Sequence, residues 1–466
     1  MAGLYQLATL VFVGGSLIPR GGHNILEPAA YGKAIFVGPH MFNFKEDIRY
    51  FDEGDALIQV SDKEELTEKM KYYLLNQGLL LEKGKQAQDL ILKNQGALQH
   101  NINEADYLLT RKPRILLVRL SAIGDVIHAM PVAHAVKQKY PLAEINWLVE
   151  DRVAGLVDLN PYIDNIIVMP RKEWQEKFHI SKWQGIKEAS SFLRSLKSYN
   201  FDIVLDMHGI FKSALPTGMT RAAKRYGSSS AREGSALFYN QKIEIPSKIT
   251  HKIDRNLHLT REALGVDINK IDYGIHPGNA EKERIAELLS EYSLLSGEFV
   301  VINPFTTWET KNWPLGRYIE LAVRVKEELD YEVIFTGGPG EREVIDNNLS
   351  NISAKIYNFA GLTNLRELAE LYKRAKLYIG GDTGPMHLAV AVSLPVVSVM
   401  GPTDPEEFGP YGEQNIVLRD NSLECIKCHK RKCDKSLECM RNITVEQVFS
   451  AVKKKLISVK ELGELN

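Results

Sequence analysis

The sequence has little that would tie the protein to a membrane core, to nucleic acid or to export. None of its apolar runs reaches the roughly 20 residues that a membrane-spanning helix needs, and its first residues lack the basic start and cleavage site of a secretory signal. Lys and Arg number 58 and Asp and Glu 59, so a net charge of -1 creates no global field for nucleic acid or anionic lipid. We therefore expect a cytoplasmic protein without a nucleic-acid partner, in which local patches meet any anionic ligand.

Cysteine is scarce, and the four cysteines occupy one segment with the spacing C-x2-C-x4-C-x5-C. A cytoplasmic setting disfavours disulfides, and this spacing is compatible with a structural zinc ion. The alternative is a solvated loop, whose basic KCHKRKC stretch is a candidate contact for lipid phosphate. The cysteines are Cys425, Cys428, Cys433 and Cys439.

Short apolar runs alternate with amphipathic stretches along most of the chain, which is typical of β-α-β units around parallel sheets. With 466 residues, two or three cores are expected. The pattern divides into residues 1–109, which end in a polar helix tail or linker, and two longer blocks, 112–285 and 286–466. We predict an α/β protein with two Rossmann-like domains and a ligand cleft between them, preceded by a partial Rossmann-like fragment.

The strongest motif is GGDTGPMHLAVA in the last block, directly after the strand-like run AKLYI. Its glycines allow a sharp turn, and Asp382 or Thr383 can cap the helix that follows. The free N–H groups and the dipole of a helix N-terminus suit a diphosphate. Taken alone, the motif is equally well explained as a capped helix of a β-α unit.

Two further polar loops of the last block shift this balance. In NPFTTWETKNWP, the hydroxyls of Thr306 and Thr307 and the charge of Lys311 suit phosphate oxygens. In TGGPGERE, the carboxylate of Glu341 can accept two ribose hydroxyls. Taken alone, each loop is better explained as a turn with solvated charges. Three such loops at one sheet edge together predict a nucleotide site.

The middle block supplies a carboxylate in LSAIGDVIHAMP, where a predicted strand ends and Asp125 stands at the entrance of a helix. One interpretation makes Asp125 a general base, which removes a proton from an acceptor hydroxyl while a sugar carbon is attacked from behind. The other makes it a helix residue stabilised by the helix dipole.

Over residues 112–458 these motifs resemble the ADP-heptose:lipopolysaccharide heptosyltransferases of glycosyltransferase family 9, and most closely the heptosyltransferase I group. The resemblance implies the GT-B fold and an inverting transfer of L-glycero-D-manno-heptose from ADP-heptose to Kdo of Kdo2-lipid A, in the inner core, with no required cofactor. It implies a peripheral protein on the cytoplasmic face of the inner membrane. The motifs are RLSAIGDVIHAMP, DMHGIFKSAL, NPFTTWETKNWP, GGPGERE, GGDTGPMHLA and GPTDP.

The resemblance also assigns residues. Asp125 falls on the catalytic base, and Ser121, Lys212 and Arg232 fall on acceptor positions, where ordinary solvated charge is the alternative for Lys212 and Arg232. The alternative interpretation of His387 is a histidine that is simply packed in its helix. The donor positions are Thr306, Thr307, Lys311, Glu341, Leu362, Asp382, Thr383, Gly384 and His387.

Residues 1–109 are similar to the C-terminal end of Kdo transferase, of glycosyltransferase family 30. The similarity lies in GGSLIPRGGHNILEPAAYGKAIFVGP, where Asn24 and Glu27 fall on positions for the CMP-Kdo nucleotide. The acceptor domain of that family is absent from this sequence, so we expect a fragment left by a gene fusion or by a start placed too late. Kdo transfer by this chain alone is not expected.

Three alternatives stay open at this point. The first alternative is a truncated piece of a bifunctional Kdo transferase and heptosyltransferase. The second is a non-hydrolysing sugar-nucleotide epimerase of the same architecture, and the third is an inactive scaffold in lipopolysaccharide assembly. An epimerase would need acid and base residues on both faces of the sugar, and a scaffold would bind the donor poorly.

Overall fold

The computed structural model describes residues 2–110, 112–266, 268, 270–294 and 297–463, and only the backbone of residues 2, 3, 94–110 and 460–463. The chain divides into two units, Met1–Arg111 and Lys112–Asn466, each of which is described by itself. Among the helices of the described part, none combines the length and the apolar character that a bilayer crossing requires.

The first unit is built on a short parallel sheet. Its strands are β1 (Leu10–Phe12), β2 (Ala34–Val37) and β3 (Ile58–Gln59), paired in that order. Every residue of β2 is buried, as expected for the central strand of a covered sheet. The polar stretch predicted as a helix tail or linker is part of the last helix. The helices are α1 (Ala2–Leu7), α2 (Leu26–Ala30), α3 (Lys45–Glu53), α4 (Lys63–Leu75) and α5 (Gln77–Thr110).

The first domain of the second unit has a parallel sheet whose central strand is the apolar run RILLV. The strands are β4 (Arg114–Val118), β5 (Glu144–Glu150), β6 (Asn165–Met169), β7 (Ile203–Asp206), β8 (Lys224–Ser228) and β9 (Gln241–Ile243). They lie in the order β6-β5-β4-β7-β8-β9. The helices are α6 (Ile123–Ala129), α7 (Pro131–Lys139), α8 (Asp151–Val157), α9 (Arg171–Ile180), α10 (Lys182–Ser195), α11 (Phe211–Met219) and α12 (Lys252–Leu264).

The second domain repeats the same plan. Its strands are β10 (Phe299–Asn303), β11 (Glu332–Phe335), β12 (Tyr357–Asn358), β13 (Leu377–Gly381), β14 (Val396–Val399) and β15 (Ile416–Leu418). They lie in the order β12-β11-β10-β13-β14-β15, all parallel. The helices are α13 (Asn279–Glu291), α14 (Leu315–Leu329), α15 (Arg342–Leu349), α16 (Leu365–Arg374), α17 (Gly384–Ala391), α18 (Pro405–Phe408), α19 (Glu438–Arg441) and α20 (Val445–Gly463).

Both sheets therefore have the Rossmann strand order, and the predicted α/β fold with two Rossmann-like domains is confirmed. In this order the connections reverse direction beside the first strand, and ligands collect there at the carboxyl ends of the strands. The helices that follow those ends, α6 in the first domain and α17 in the second, contact each other. The predicted boundary between residues 285 and 286 falls inside α13, which packs against α16 of the second domain.

Candidate active site

Asp125 stands in the first turn of α6, just past the carboxyl end of β4. Its carboxylate Oδ2 lies 2.7 Å from Nη2 of Arg119, the residue that follows the strand. Burial by itself would raise the pKa of Asp125, but the Arg119 guanidinium outweighs burial and holds the pKa below its ordinary value. The carboxylate is therefore ionised near neutral pH, as a general base must be.

Asp125 lines a cavity of about 610 Å³ that both domains enclose. The first domain contributes a group of cations, and the second contributes residues from α18 and from the cysteine-containing segment. Burial, followed by the positive charge of Arg119, lowers the pKa of His208 in this cavity to about 3, so the imidazole is neutral. Charged residues of the lining are Arg119, Asp125, Asp206, Arg232, Lys252, Arg255 and Glu407, and Phe408 and His429 complete the second-domain side.

The three predicted acceptor residues are placed differently. Arg232 lines the Asp125 cavity. Ser121 is buried, and its Oγ accepts a 3.4 Å hydrogen bond from Nζ of Lys212. Lys212 also pairs with the buried carboxylate of Glu150. The Lys212 ammonium is therefore held in an ion pair. It is not the ordinary solvated charge that was the alternative interpretation of Lys212.

A second basic cavity, of about 880 Å³, lies around Glu150. Arg171 binds this carboxylate at 3.0 Å and Arg152 binds it at 3.3 Å. Sequence reasoning missed this group, although Arg171 stands two residues past the end of β6, at the sheet edge where ligands of such folds collect. The lining residues are Glu150, Asp151, Arg152, Arg171, Lys172, Gln175 and Arg431.

The three polar loops of the second domain meet at a separate cavity of about 580 Å³. The predicted donor residues in its lining are Thr306, Thr307, Glu341 and Thr383. Leu362 packs against the apolar core instead, and the residues that follow it, Thr363–Leu365, line the cavity. The first domain closes this cavity with Ile123, Arg152, Gly155 and Leu156.

The half-buried Lys311 and the buried Asp382 form an ion pair between two of these loops. Lys311 Nζ lies 2.7 Å from Asp382 Oδ2, which also accepts a 2.7 Å hydrogen bond from Thr403 Oγ1. Burial by itself would raise the pKa of Asp382, but the nearby His387 imidazole and the charge of Lys311 lower it to about 2. The pair fixes the NPFTTWETKNWP loop, which contains Lys311, against the loop that precedes α17.

The prediction that the side chain of Asp382 or Thr383 caps α17 is wrong. Thr383 is the N-cap residue of α17, but its side chain makes no capping hydrogen bond. The Asp382 carboxylate is occupied by Lys311 and Thr403 instead. Among the described residues, the N-cap side chain of α17 therefore makes no capping bond to the helix, and Thr383 and Pro385 line the cavity of the polar loops.

Glu341 is partly engaged by its own turn. Its Oε2 accepts a 2.7 Å hydrogen bond from the backbone N–H of Gly338, which closes a capping turn ahead of α15. This contact orients the carboxylate in the cavity of the polar loops, which both residues line.

The first turn of α6 separates the two cavities. Ile123 lines the cavity of the polar loops, whereas Asp125, in the same turn, lines the basic cavity. The turn packs closely on the other domain, because a Cβ added at Gly384 would lie 2.8 Å from the Ile123 Cβ. His387 is buried at this contact, with its Nδ1 3.0 Å from Nε2 of His128.

The four cysteines are free thiols that line one small cavity. Burial and the neighbouring cysteines raise the pKa of Cys439 to about 11. Across the described ranges, no group of three or more His, Cys, Asp or Glu side chains is placed to hold a metal ion. The zinc site that the cysteine spacing allowed is therefore not formed in this structure.

Residues 189–438 match the model of glycosyltransferase family 9 (heptosyltransferase). The chain belongs to this family. As a family 9 protein it is a glycosyltransferase, and its relatives are consistent with that assignment. Lipopolysaccharide heptosyltransferase 1 of Pseudomonas aeruginosa is 29% identical, with 69% of this chain and 87% of that protein covered. Lipopolysaccharide heptosyltransferase 1 of Escherichia coli K12 is 28% identical, with 66% of this chain and 93% of that protein covered.

Solved structures of family 9 proteins share the fold. Heptosyltransferase WaaC of E. coli with ADP is 25% identical, with a TM-score of 0.60 and coverage of 73% of this chain and 99% of that chain. The family 9 protein of Veillonella parvula is 24% identical, with a TM-score of 0.65 and coverage of 74% and 98%. The predicted GT-B fold of this family 9 chain is confirmed.

Proposed function

We propose that this family 9 protein catalyses the heptosyltransferase I reaction, an inverting transfer of L-glycero-D-manno-heptose from ADP-heptose to Kdo of Kdo2-lipid A. The observation that carries the proposal is the division of the cleft by the first turn of α6. One side holds hydroxyl, carboxylate and helix N-terminal groups, and the other holds an ionised carboxylate among cations. The similarity to proteins named lipopolysaccharide heptosyltransferase 1 supports the same reaction.

The donor nucleotide is assigned to the cavity of the polar loops. Thr307 and the N-terminus of α17 at Thr383 bind the diphosphate, and Glu341 binds the ribose. Lys311 and Asp382 join two of these loops through the 2.7 Å ion pair. When the bond from the anomeric carbon to ADP breaks, negative charge builds on the diphosphate, and preorganised N–H and O–H donors stabilise that charge.

Asp125 acts as the general base. An acceptor hydroxyl transfers its proton to the carboxylate while its oxygen attacks the anomeric carbon on the face opposite ADP, and the configuration of that carbon inverts. Arg119, at 2.7 Å, keeps the carboxylate ionised and fixes its orientation. A positioned base of this kind contributes about 10²- to 10⁴-fold in rate.

The charge of the two basic cavities fits an acceptor with several anionic groups. Arg232, Lys252 and Arg255 line the same cavity as the Asp125 carboxylate, so a sugar acid is attracted there and its hydroxyl is brought to the base. Arg171 and Arg431 line the neighbouring cavity, which suits a second carboxylate or a phosphate of the same lipid. Kdo2-lipid A has both kinds of group.

A lipid acceptor implies a membrane surface, and we assign the protein to the cytoplasmic face of the inner membrane as a peripheral protein. The basic KCHKRKC stretch supports this, because Lys and Arg near an anionic surface contribute about 1 kcal/mol each. The reaction as proposed requires no metal or other cofactor.

Residues 1–109 are proposed to be the C-terminal end of a Kdo transferase. Asn24 is exposed, and its Oδ1 accepts a 2.9 Å hydrogen bond from Leu26 N; Glu27 is also exposed. With CMP-Kdo and lipid A as substrates, this chain should incorporate no Kdo. Incorporation would show that the segment is a working transferase.

The proposed reaction is tested by incubating the protein with ADP-heptose and Kdo2-lipid A while ADP release and the mass of the lipid are followed. We expect ADP release coupled to a lipid heavier by one heptose, and neither product when lipid A without Kdo replaces the acceptor. Isomerisation of the sugar nucleotide without lipid would indicate an epimerase. Lipid binding without ADP release would indicate a scaffold, and either result would contradict the proposal.

A further inference from the structure

A buried pair of histidines joins the two domains. His128, on α6, is 2% exposed, and His387, on α17, is 6% exposed. Their facing nitrogens, His128 Nε2 and His387 Nδ1, are 3.0 Å apart, which is hydrogen-bond distance. This contact lies within one helical turn of the candidate base Asp125 and within one turn of the donor residue Thr383.

The surroundings of the pair decide which histidine donates. His128 Nδ1 is buried and has no hydrogen-bond partner among the described residues. On the other side, His387 Nε2 faces Asp382 Oδ1 at 3.8 Å, while the second Asp382 oxygen is taken by Lys311 and Thr403. Burial, followed by the neighbouring His387 and His251, lowers the pKa of His128, so its ring is neutral.

When both rings are neutral, each carries one N–H, and there are two arrangements of the pair. If His387 donated from Nδ1, the His128 proton would stand on its orphaned Nδ1, and the bare Nε2 of His387 would face a carboxylate. Both features are unfavourable. If His128 donates from Nε2, its partnerless Nδ1 carries a lone pair and no proton. His387 then presents its Nε2–H to Asp382, so this second arrangement is favoured.

We propose that His128 is a positioning residue, which holds His387 as the Nε2–H tautomer and so links the helix of the base to the donor loops. The connection runs from His128 to His387, from His387 to Asp382, and from Asp382 to Lys311 in the Thr306–Thr307 loop. The role in catalysis rests on the proposed function, whereas the tautomer itself does not.

The close fit of the ring supports a fixed orientation. A Cβ added at Gly124, next to Asp125, would lie 2.6 Å from His387 Cδ2. The ring edge that includes Nε2 therefore packs against the backbone of the α6 turn, and a flipped ring would have to fit the same narrow space. His251, 5.5 Å from the His128 ring, is not a competing partner, because its Nε2 bonds Gly409 O and its Nδ1 accepts from Ile253 N.

The tautomer is tested by nitrogen NMR of the full chain labelled with ¹⁵N-histidine, with His387 assigned by its loss in His387→Gln. We expect a protonated Nε2 and an unprotonated Nδ1 for His387 in the wild-type protein. A protonated Nδ1 would overturn the proposal, whether or not the protein transfers heptose. This measurement needs no substrate, so its failure is distinguishable from a failure of the proposed function.

The positioning role is tested with His128→Leu and His128→Gln, by NMR and by calorimetric titration with ADP. The Leu side chain cannot donate, so His387 should become a tautomer mixture and ADP affinity should fall about fivefold, the effect of one net hydrogen bond. Gln places an N–H near the His128 Nε2 position and should restore both to within about twofold of wild type. As a control, His134→Leu, whose histidine packs on Tyr162 with ring centroids 4.7 Å apart, should change neither.

In the transfer assay, His128→Leu should raise KM for ADP-heptose by the same factor with a smaller change in kcat, because Asp125 is retained. An unchanged tautomer and ADP affinity in His128→Leu would overturn the proposal. So would a His128→Gln protein that is as impaired as His128→Leu, since donation would then not matter. If neither variant folds, the wild-type NMR result still decides the tautomer.

Discussion

Two segments of the chain have the same order of strand, loop and helix, but the polar side chains of one are exposed and those of the other are buried. In the first unit, β1 leads through a glycine-rich loop into the short helix α2 and the parallel strand β2. In the second unit, β13 leads through the GGDTG loop into α17 and the parallel strand β14. Asn24 and Glu27 of the first segment are exposed, whereas Asp382 and His387 of the second are buried against groups from other loops and from the facing domain.

This contrast indicates that such a loop is only part of a site. Charges in water interact weakly, while the same charges in a buried contact interact several times more strongly. The Asp382 carboxylate is held by Lys311 and Thr403, and its pKa is lowered to about 2. The side-chain oxygen of Asn24 accepts from Leu26 N within its own turn. We infer that the contacts with the facing α6 distinguish the second loop from the first.

The largest effect is expected for Asp125→Asn, which removes the facing carboxylate but keeps its shape. Turnover of ADP-heptose should fall about 10²- to 10⁴-fold, because the acceptor proton has no base. The ADP dissociation constant, measured by calorimetry, should stay within about twofold. The exposed control Asp330→Asn, at the end of α14, should transfer heptose at the wild-type rate; equal turnover of the Asp125 variant and this control would remove Asp125 from the mechanism.

The next effect concerns the acid stability of the buried Asp382. Its folded-state pKa of about 2 lies below the ordinary value of 3.8, so the stabilisation is complete above pH 3.8 and is lost as the pH falls towards 2. Denaturant unfolding of wild type and Asp382→Asn at several pH values between 6 and 2 measures this. The wild type should lose roughly 2 kcal/mol more than the variant over that range. Parallel pH profiles of the two proteins would mean that the pKa of Asp382 is not lowered in the folded state.

A smaller effect is expected for Gly124→Ala, which probes the contact between α6 and α17. The new Cβ would lie 2.6 Å from Cδ2 of the buried His387, so the ring or the turn must shift. Overpacking of this kind costs about 1 to 3 kcal/mol, and kcat/KM for ADP-heptose should fall about tenfold. The control Gly316→Ala, whose Cβ would meet no atom within 4 Å, should leave kcat/KM unchanged; a fully active Gly124→Ala would show that the two helices are not tightly fitted during turnover.

The smallest effect is expected for the exposed loop of the first unit. Asn24→Ala and Glu27→Ala should change heptose transfer by less than about twofold, because surface substitutions of this kind are close to neutral. The transfer assay with Kdo2-lipid A measures both variants. A tenfold loss in either would mean that the first loop contributes to the reaction, and the contrast between the two segments would no longer hold.

The sequence predicted the elements whose signal is local. Continuous apolar runs predict central strands such as β4 and β10, because a parallel strand is covered on both faces. Strands β8 and β9 were not predicted, since they lie at the end of the sheet, where polar residues such as those of KRYGS replace an apolar run. Polar loops after strands likewise predicted Thr306, Glu341 and Thr383 as cavity residues.

Partnerships between distant residues could not be predicted from local patterns. His128 and His387 are 259 positions apart, and nothing in either motif indicates that the two imidazoles meet. Glu150 was overlooked because a lone carboxylate at a strand end gives no signal until the sheet brings Lys212 and Arg171 to it. Arg119 stands inside a quoted motif, but its role towards Asp125 depends on the turn geometry.

The most direct test is a crystal structure of Asp125→Asn with ADP-heptose and a soluble Kdo-containing acceptor. The proposed reaction requires the diphosphate among Thr306, Thr307 and Thr383, with the substituted side chain at position 125 about 2.6–3.2 Å from the attacking hydroxyl, on the face of the heptose opposite ADP. A nucleotide bound outside that cavity, or a side chain at position 125 that faces away from the anomeric carbon, would contradict it.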